Sequence, residues 1–379
     1  MNLGSQRDLF EMPEDIAYLN CAYMSPQLRR AREIGEWAIS RKSRPWEVTP
    51  NDFFEDVEEV RSLFARLVDG DADGVAVVPS VSYGISVAAA NVPVHEGEKI
   101  IILEDQFPSN VYSWRELASR GRAKLVTVPR PEDSDWTRVL VEEIDGDTAV
   151  VAAPNCHWTD GSLVDLARIG ERVREAGAAL VVDVIQSLGA LPFDVTEVRP
   201  DFLVAASYKW LLGPYGVGFM YVDEKHREGQ PIEHNWINRH GSEDFAQLVD
   251  YQDAFQPGAR RYDVGERSNF VLLPMAAEAL RQLIEWEVEN VSETIGKLTD
   301  LIERKAEERG IATIPKEKRA RHMIGLMLGP DAPGDLATRL THHDVFVSVR
   351  GPSVRVSPHL YNTEEDVDRF FDVLEQVAG

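Results

Sequence analysis

The chain has 379 residues, of which 44% are hydrophobic and 27% charged, as expected for a globular protein of about two domains. Its formal net charge of −24 argues against nucleic acid or an anionic membrane surface as the main partner. The two cysteines, Cys21 and Cys156, show no spacing typical of disulfide scaffolds or metal sites, so we expect no metal. No apolar leader or membrane-spanning run is evident, which predicts a cytoplasmic protein.

Seven short apolar runs alternate with helix-like segments between about Gly74 and Val222. The runs are 75–79, 99–104, 123–128, 148–154, 178–184, 201–207 and 217–222. Their apolar residues are continuous, which is typical of strands covered on both faces in a mostly parallel sheet. The segment 163–176 has apolar residues at helical spacing. This alternation of strands and helices predicts an α/β fold.

The pattern changes after about Asp223. A polar stretch leads to a long helical region from about Pro274 to Arg309, and the chain ends with short apolar runs and a closing helix over 364–377. We therefore predict a large α/β domain over 16–255 and a smaller α+β domain over 256–379. Residues 1–15 are assigned to the smaller domain, with packing on the larger one as the alternative.

Polar residues at the carboxyl ends of strands are candidate site residues, because ligands of open α/β sheets bind there. Asp183 closes one predicted strand, and a buried carboxylate at that point is costly unless a cation faces it. The pyridinium nitrogen of pyridoxal 5′-phosphate (PLP) is such a cation, and an acidic partner strengthens its capacity to withdraw electrons. A helix-capping aspartate is the alternative.

Lys209 lies among apolar and aromatic residues in the segment AASYKWLLGPYGVGF (205–219). Burial lowers the pKa of an ammonium group and makes the amine a candidate nucleophile. A lysine that extends to the surface is the alternative. Asp183 and Lys209 end successive predicted strands, so together they favour a PLP site in which Lys209 forms a Schiff base.

Other strand ends offer further candidates. Ser80-Val81-Ser82 precede a predicted helix, where backbone N–H groups bind phosphate, although such hydroxyls are also ordinary helix caps. Phe107 follows another strand and is placed either to stack on the pyridine ring or to pack in the core. Asn155 and His157 are candidates for contact with the cofactor's ring oxygen or the substrate, with capping as the alternative.

Five motifs in this order resemble the class V aminotransferase family. They are SVSYGIS (80–86), FPSN (107–110), DVIQS (183–187), SYKWLLGPYGVGF (207–219) and RVSPHLYNTEEDVDRF (355–370). This family is the fold-type-I group of PLP enzymes that includes cysteine desulfurases, kynureninases and isopenicillin-N-epimerase-like proteins. The resemblance extends from YLNCAYMSP (18–26) to the last helix. It implies a mostly parallel, seven-stranded sheet in the large domain.

The resemblance also implies roles for individual residues. Lys209 would form the Schiff base and move a proton between Cα and C4′, while Asp183 pairs with the pyridinium nitrogen and Gln186 with the ring oxygen. Phe107 would stack on the ring, as in kynureninases, where desulfurases usually have His. Arg355 would clamp the substrate α-carboxylate, a surface arginine being the alternative. Val81, Ser82 and the Tyr208 hydroxyl would bind the phosphate.

The family's active sites lie at a dimer interface, so the resemblance implies a homodimer. Trp236 and the loop that begins at Gly265 would then reach the partner's cofactor. The candidate substrate-pocket residues are aromatic or polar, and a packing role is the alternative for each; they are Tyr23, His157, Trp158, Trp236, Arg239 and Tyr262.

Three positions depart from the family's patterns. The segment VSVRGPSVRVS (347–357) carries Ser353 and no cysteine, which disfavours the persulfide chemistry of desulfurases. Glu266 occupies the phosphate loop, where a carboxylate is a poor ligand, and Asn110 replaces the Asp of the kynureninase pattern.

The sequence therefore predicts a PLP enzyme that acts on an amino acid, most simply an aminotransferase with a keto acid as second substrate. A lyase or epimerase of the same family is the alternative, either kynureninase-like or resembling a Cys-independent desulfurase or selenocysteine lyase. A non-catalytic binding protein of this fold is a more distant alternative.

Overall fold

The computed structural model describes residues 3–329 and 332–378. Its helices are α1 (Arg29–Lys42), α2 (Glu55–Leu67), α3 (Val81–Asn91), α4 (Tyr112–Gly121), α5 (Trp136–Glu143), α6 (Leu166–Ala176), α7 (Val195–Val198), α8 (Leu272–Trp286), α9 (Val288–Glu307), α10 (Leu336–Thr341) and α11 (Glu364–Ala378). Its strands are β1 (Ala17–Tyr18), β2 (Val75–Val78), β3 (Lys99–Leu103), β4 (Lys124–Val128), β5 (Thr148–Pro154), β6 (Ala179–Asp183), β7 (Phe202–Ala206), β8 (Gly218–Val222), β9 (Ala312–Thr313), β10 (Ile324–Met327), β11 (Val345–Phe346), β12 (Ser348–Arg350) and β13 (Ser353–Val356).

A seven-stranded sheet in the order β2-β8-β7-β6-β5-β3-β4 forms the centre of the large domain. Only the pairs that include β8 are antiparallel. Alternate residues of each strand enter different cores: Val75 and Val77 belong to the core that also contains residues of α2, α6 and α8, whereas Ala76 and Val78 belong to the core that contains residues of α3 and α4. Both faces of the sheet are therefore covered, and the predicted α/β fold with a mostly parallel sheet is confirmed.

A smaller antiparallel sheet in the order β12-β13-β10-β9 lies in the carboxyl-terminal part of the chain. Helices α9, α10 and α11 pack with it around a separate core. Strand β1 pairs with β11, and Ala17 and Leu19 are buried in the same core. The chain thus contacts this smaller unit before it enters the large sheet. The exact domain limits stay a prediction.

The helical region predicted over 274–309 is divided in two at Glu287, whose φ of 60° and ψ of 121° cannot continue a right-handed helix. Helix α8 packs on α1 and α2, whereas α9 packs on α11 and β10. The first helix is therefore attached to the large domain, and the second leads into the smaller one.

A buried ionic network fixes the loop after residue 262 to β2. The Asp263 carboxylate accepts hydrogen bonds from Arg61 Nη2 at 2.8 Å, Arg267 Nη1 at 2.5 Å and the Val77 N–H at 2.6 Å. The side chains of Arg61, Asp263 and Arg267 are fully buried. The network holds this loop beside the strand that leads to α3.

Replacement of Asp263 with Asn is expected to lower the free energy of unfolding by about 3–5 kcal/mol, because the buried Arg267 loses its counter-charge and the buried Arg61 keeps only its pair with the 40% exposed Glu58. Urea denaturation followed by circular dichroism measures the change. The control is Asp133→Asn, which removes a carboxylate from an exposed pair with Arg138 and should change stability by less than about 1 kcal/mol. Equal effects of the two substitutions would contradict a structural role for the network.

Two classes of feature are absent from residues 3–329 and 332–378. No helix there combines the length and the apolar character that crossing a membrane requires. No group of three or more His, Cys, Asp or Glu side chains is placed to hold a metal ion.

Candidate active site

A cavity of about 430 Å³ lies where the carboxyl ends of the large sheet meet the hairpin β12–β13. Residues that follow β3, β6 and β7 form one side, and the hairpin supplies two arginines to the other. The lining residues are Ala22, Tyr23, Met24, Phe107, Trp158, Gln186, Tyr208, Lys209, Tyr215, Arg350 and Arg355. Both domains therefore contribute to the cavity.

The turn after β7 fixes the position of Lys209. The Ser207 hydroxyl lies 2.6 Å from the Pro214 carbonyl and 2.9 Å from that of Val217, which closes the loop around the lysine. Gly213 donates its N–H to the Ser207 carbonyl, and a Cβ at this glycine would lie 2.7 Å from Ser207 Cβ. Because Trp210 is fully buried beside it, the turn presents Lys209 to the cavity in a fixed orientation.

Lys209 is 5% exposed, and Nζ lies 5.6 Å from the ring centroids of both Phe107 and Tyr208. Among the described residues, its ammonium has no hydrogen-bond or ion-pair partner. Burial and the positive charge of Arg355 lower the pKa of Lys209 to about 8, against the opposing effect of the Asp183 charge. A substantial fraction of the amine is therefore neutral near physiological pH, as nucleophilic attack requires.

Asp183 is the last residue of β6, is 5% exposed and does not itself line the cavity. Its Oδ1 accepts a hydrogen bond from the Ile185 N–H at 3.0 Å. Burial raises the pKa of this carboxyl to about 6, although that hydrogen bond and the charge of Lys209 act in the opposite direction. No described arginine or lysine forms an ion pair with it, so a cationic ring nitrogen would supply the counter-charge that the site lacks.

Gln186 and Phe107 lie in the cavity wall, as predicted for residues that contact the cofactor ring. The Gln186 side chain donates to the Ala22 carbonyl at 3.2 Å and accepts from Trp210 Nε1 at 3.2 Å, which fixes its amide. The Phe107 ring packs edge-on against Trp158, with the centroids 5.4 Å apart. These contacts hold an aromatic face and an amide beside Lys209.

The residues predicted to bind phosphate are divided between two places. Ser80 caps α3 by accepting a hydrogen bond from the Tyr83 N–H at 3.2 Å, and its Oγ lies 2.9 Å from that of Ser82. Ser80, Val81 and Ser82 do not line the Lys209 cavity, whereas Tyr208 does. Burial raises the pKa of Tyr208 to about 12, so its hydroxyl stays protonated and is able to donate.

His157 and Asn155, like Asp183, do not line the cavity, and their predicted contacts with substrate or cofactor stay predictions. His157 is fully buried, with Nε2 3.0 Å from the Glu104 carbonyl and Nδ1 2.7 Å from Thr159 Oγ1. Burial lowers its pKa, and the ring stacks on Trp136. Asn155 Nδ2 donates to the Val164 carbonyl at 3.3 Å. In this structure both side chains secure the loop after β5.

The other predicted pocket residues lie in different places. Tyr23 and Trp158 line the Lys209 cavity, whereas Tyr262 is fully buried. Trp236 and Arg239 line a separate cleft of about 680 Å³. The N–H of Gly265 donates to Glu233 Oε2 at 2.6 Å. Trp236 and Gly265 are predicted to contact the cofactor site of a second subunit. That contact lies between subunits and stays a prediction.

Sequence reasoning missed Arg350, which lines the cavity together with the predicted clamp Arg355. The two arginines flank the Gly351-Pro352 turn of the β12–β13 hairpin. In the observed register, Ser348 lies opposite Arg355 and Arg350 lies opposite Ser353. The sequence did contain a signal for Arg350. The two arginines lie on either side of a short turn, at a spacing that places both on one face of the hairpin in this register.

Neither cysteine lines the cavity. Cys21 and Cys156 are free and buried, and burial raises the pKa of each thiol far above its ordinary value. Both are therefore protonated at neutral pH and inaccessible to solvent. This placement agrees with the expectation that persulfide chemistry is disfavoured.

The chain was compared with known proteins. It is 26% identical over 332 residues to YcbU of Bacillus subtilis (strain 168), named an uncharacterised aminotransferase; the match covers 84% of this chain and 83% of that protein. The isopenicillin N epimerase of Streptomyces clavuligerus is 23% identical, with 85% and 84% covered. A solved structure of a lysine-to-alanine mutant of C-DES, with glycine covalently linked to its PLP cofactor, has a TM-score of 0.86 at 16% identity, with 98% of this chain and 99% of that chain covered.

The family model for aminotransferase class-V matches residues 46–370. Most of the residues that line the cavity lie in this range; the exceptions are Ala22, Tyr23 and Met24. The match supports the predicted cofactor, PLP, for which the unpaired Lys209 amine, the Asp183 carboxylate and the Phe107 ring are suitably placed. The extent of the match covers both domains and settles the family. This chain belongs to the class-V aminotransferase family.

Proposed function

We propose that this chain is an enzyme that holds PLP through Lys209 and transfers the amino group of an amino acid to a keto acid. The observation that carries the proposal is the Lys209 amine, which is buried, has no ion-pair partner among the described residues and lines a cavity that also contains Arg355. When bound, PLP stores the electrons released when a bond at the substrate Cα breaks. The chain's residues supply binding, orientation and proton transfer.

Lys209 Nζ is the group that removes the proton from the substrate Cα, since its lowered pKa leaves part of the amine unprotonated. Asp183 would supply a negative charge to the ring nitrogen of the bound cofactor. Arg355 is held by its Nη1, which donates to the Trp158 carbonyl at 2.6 Å, and its remaining donors are free to bind the α-carboxylate. Phe107, Tyr215 and Trp158 form aromatic walls of the cavity.

Two measurements test this activity. The purified protein should show a visible absorption band that is bleached by its amino-acid substrate, and a keto acid should restore the band with release of a new amino acid. Repeated turnover of the amino acid in the absence of any keto acid would contradict transamination. It would favour the second candidate, a lyase or epimerase, which the similarity to isopenicillin N epimerase supports.

The pH dependence of cofactor capture follows from the lowered pKa of Lys209. The apoprotein should bind PLP at a rate that rises with pH, has its midpoint near pH 8 and levels off at higher pH, because only the neutral amine attacks. Arg355→Met should move the midpoint upward, since the charge of Arg355 lowers this pKa. Stopped-flow absorbance measures the rate. A rise that continues towards the ordinary lysine value of 10.5 would contradict the assigned environment.

We also propose that the protein is a cytoplasmic homodimer. Trp236 is 40% exposed and lies beside Phe245, which is 37% exposed, so this region offers an apolar surface for a second copy. Light scattering on the purified protein tests the dimer, and a monomeric mass would contradict it.

A further inference from the structure

The two arginines of the cavity project from one face of the β12–β13 hairpin. Arg350 pairs with Ser353 and Arg355 pairs with Ser348 across the antiparallel register. Residues directly opposite each other share a face, so the two arginines occupy diagonal positions, which are typically about 7–8 Å apart. Their guanidinium groups thus enter the same cavity from neighbouring points.

Neither guanidinium group has a negative partner among the described residues. Arg355 donates to the Trp158 carbonyl, and its Nε is buried without a partner. Arg350 donates to the carbonyl of its own neighbour Val349 at 2.9 Å, and its Cζ lies 5.7 Å from the Trp158 ring centroid. In the part of the chain that the structure describes, no Asp or Glu lines the cavity. The site therefore contains more positive charge than its own residues neutralise.

The excess charge affects the neighbouring groups. Burial, followed by the charge of Arg350, lowers the pKa of Arg355 to about 9. Arg350 also contributes to the lowered pKa of Lys209, after burial and Arg355. The α-carboxylate of an amino acid would neutralise Arg355 and leave Arg350 unpaired. A second negative charge on the ligand would neutralise both arginines.

Building on the proposed function, we infer that Arg350 is a specificity-determining residue that binds a carboxylate on the substrate side chain, so that the enzyme acts on dicarboxylic amino acids. Trp158 holds the two arginines in place, since its carbonyl accepts from Arg355 and its ring lies beneath Arg350. The phosphate of the cofactor is the other anion to consider. Of its predicted binding residues, Ser80-Val81-Ser82 lie outside this cavity whereas Tyr208 lines it, so phosphate binding is measured beside that of the acids.

Calorimetric titration of the holoenzyme with pairs of acids of equal chain length tests the inference. Glutarate should bind about 10- to 150-fold more tightly than valerate, and succinate more tightly than butyrate, because a second charge-assisted interaction is gained. In Arg350→Gln this ratio should fall to about 1, and Arg350→Lys should retain part of it. Arg355→Gln should weaken all four acids. Arg120→Gln removes a guanidinium from an exposed pair on α4 and should leave the ratio unchanged.

Two outcomes would overturn the inference. The first is equal affinity of the wild-type protein for mono- and dicarboxylic acids. The second is an Arg350→Gln variant that keeps the full preference for dicarboxylic over monocarboxylic acids but binds inorganic phosphate and PLP more weakly. A holoenzyme band that is bleached by monocarboxylic amino acids alone would refute this inference while supporting the proposed function. Absence of any visible band would instead refute the proposed function.

Discussion

Replacement of Lys209 with Ala is expected to abolish the visible absorption band of the protein with added PLP and to reduce turnover by about 10²- to 10⁴-fold or more. The amine proposed to hold the cofactor and move the Cα proton is lost, and no other lysine of the described residues lines the cavity. Absorption spectra and single-turnover kinetics measure the two effects. Any PLP that the Lys209→Ala protein still binds has no lysine at this position to form a Schiff base with, so it should absorb as the free aldehyde.

The matched control is Lys225→Ala, because Lys225 is 61% exposed and its partner, the buried Asp201, keeps a hydrogen bond with His226. It should keep the band and the rate of the wild type. Thermal unfolding separates loss of chemistry from loss of folding. Lys209→Ala should not lower stability at neutral pH, since it removes a buried group whose charged form is disfavoured by burial. A Lys209→Ala protein that retains both band and turnover would contradict the assignment.

Replacement of Arg355 with Met should reduce kcat/KM by roughly 10- to 150-fold, the loss expected when a charge-assisted hydrogen-bonding partner of a carboxylate is removed. The loss should appear mainly in KM, because the α-carboxylate is bound in the ground state as well as in the transition state. Arg355→Lys should recover only part of the affinity, since a lysine cannot form the bidentate pair. Steady-state kinetics with the amino-acid substrate measures both constants.

Arg339→Met is the control for this substitution, because Arg339 is 44% exposed on α10 and belongs to the same smaller domain. It should leave kcat and KM within about twofold of the wild-type values. A loss confined to kcat in Arg355→Met would show that this arginine does not bind the substrate carboxylate. Equal losses in both variants would indicate a general effect on the smaller domain.

The large sheet was predictable because its strands are marked by continuous apolar runs. The run 148–154 matches β5 in full, and the run 178–184 exceeds β6 by one residue at each end. Asp183 and Lys209 were also predictable, since a charged residue next to a buried strand is unusual. The division of the helix at Glu287 was not, because it depends on a single residue with positive φ and not on the apolar pattern.

Side-chain direction was the part of the site that sequence could not supply. His157 follows a strand as predicted, yet its ring turns away to contact Glu104 and Trp136. Arg350 shares the cavity with Arg355 only because the hairpin register places them on one face. Both outcomes depend on packing between segments that are distant in the sequence.

Location of the cofactor linkage tests the central claim most directly. The holoenzyme is reduced with borohydride, digested and analysed by mass spectrometry, so that the lysine carrying the reduced cofactor is identified. We predict one labelled lysine, Lys209, and no label in Lys209→Ala. A label on another lysine, or a protein that takes up no cofactor before reduction, would contradict the account.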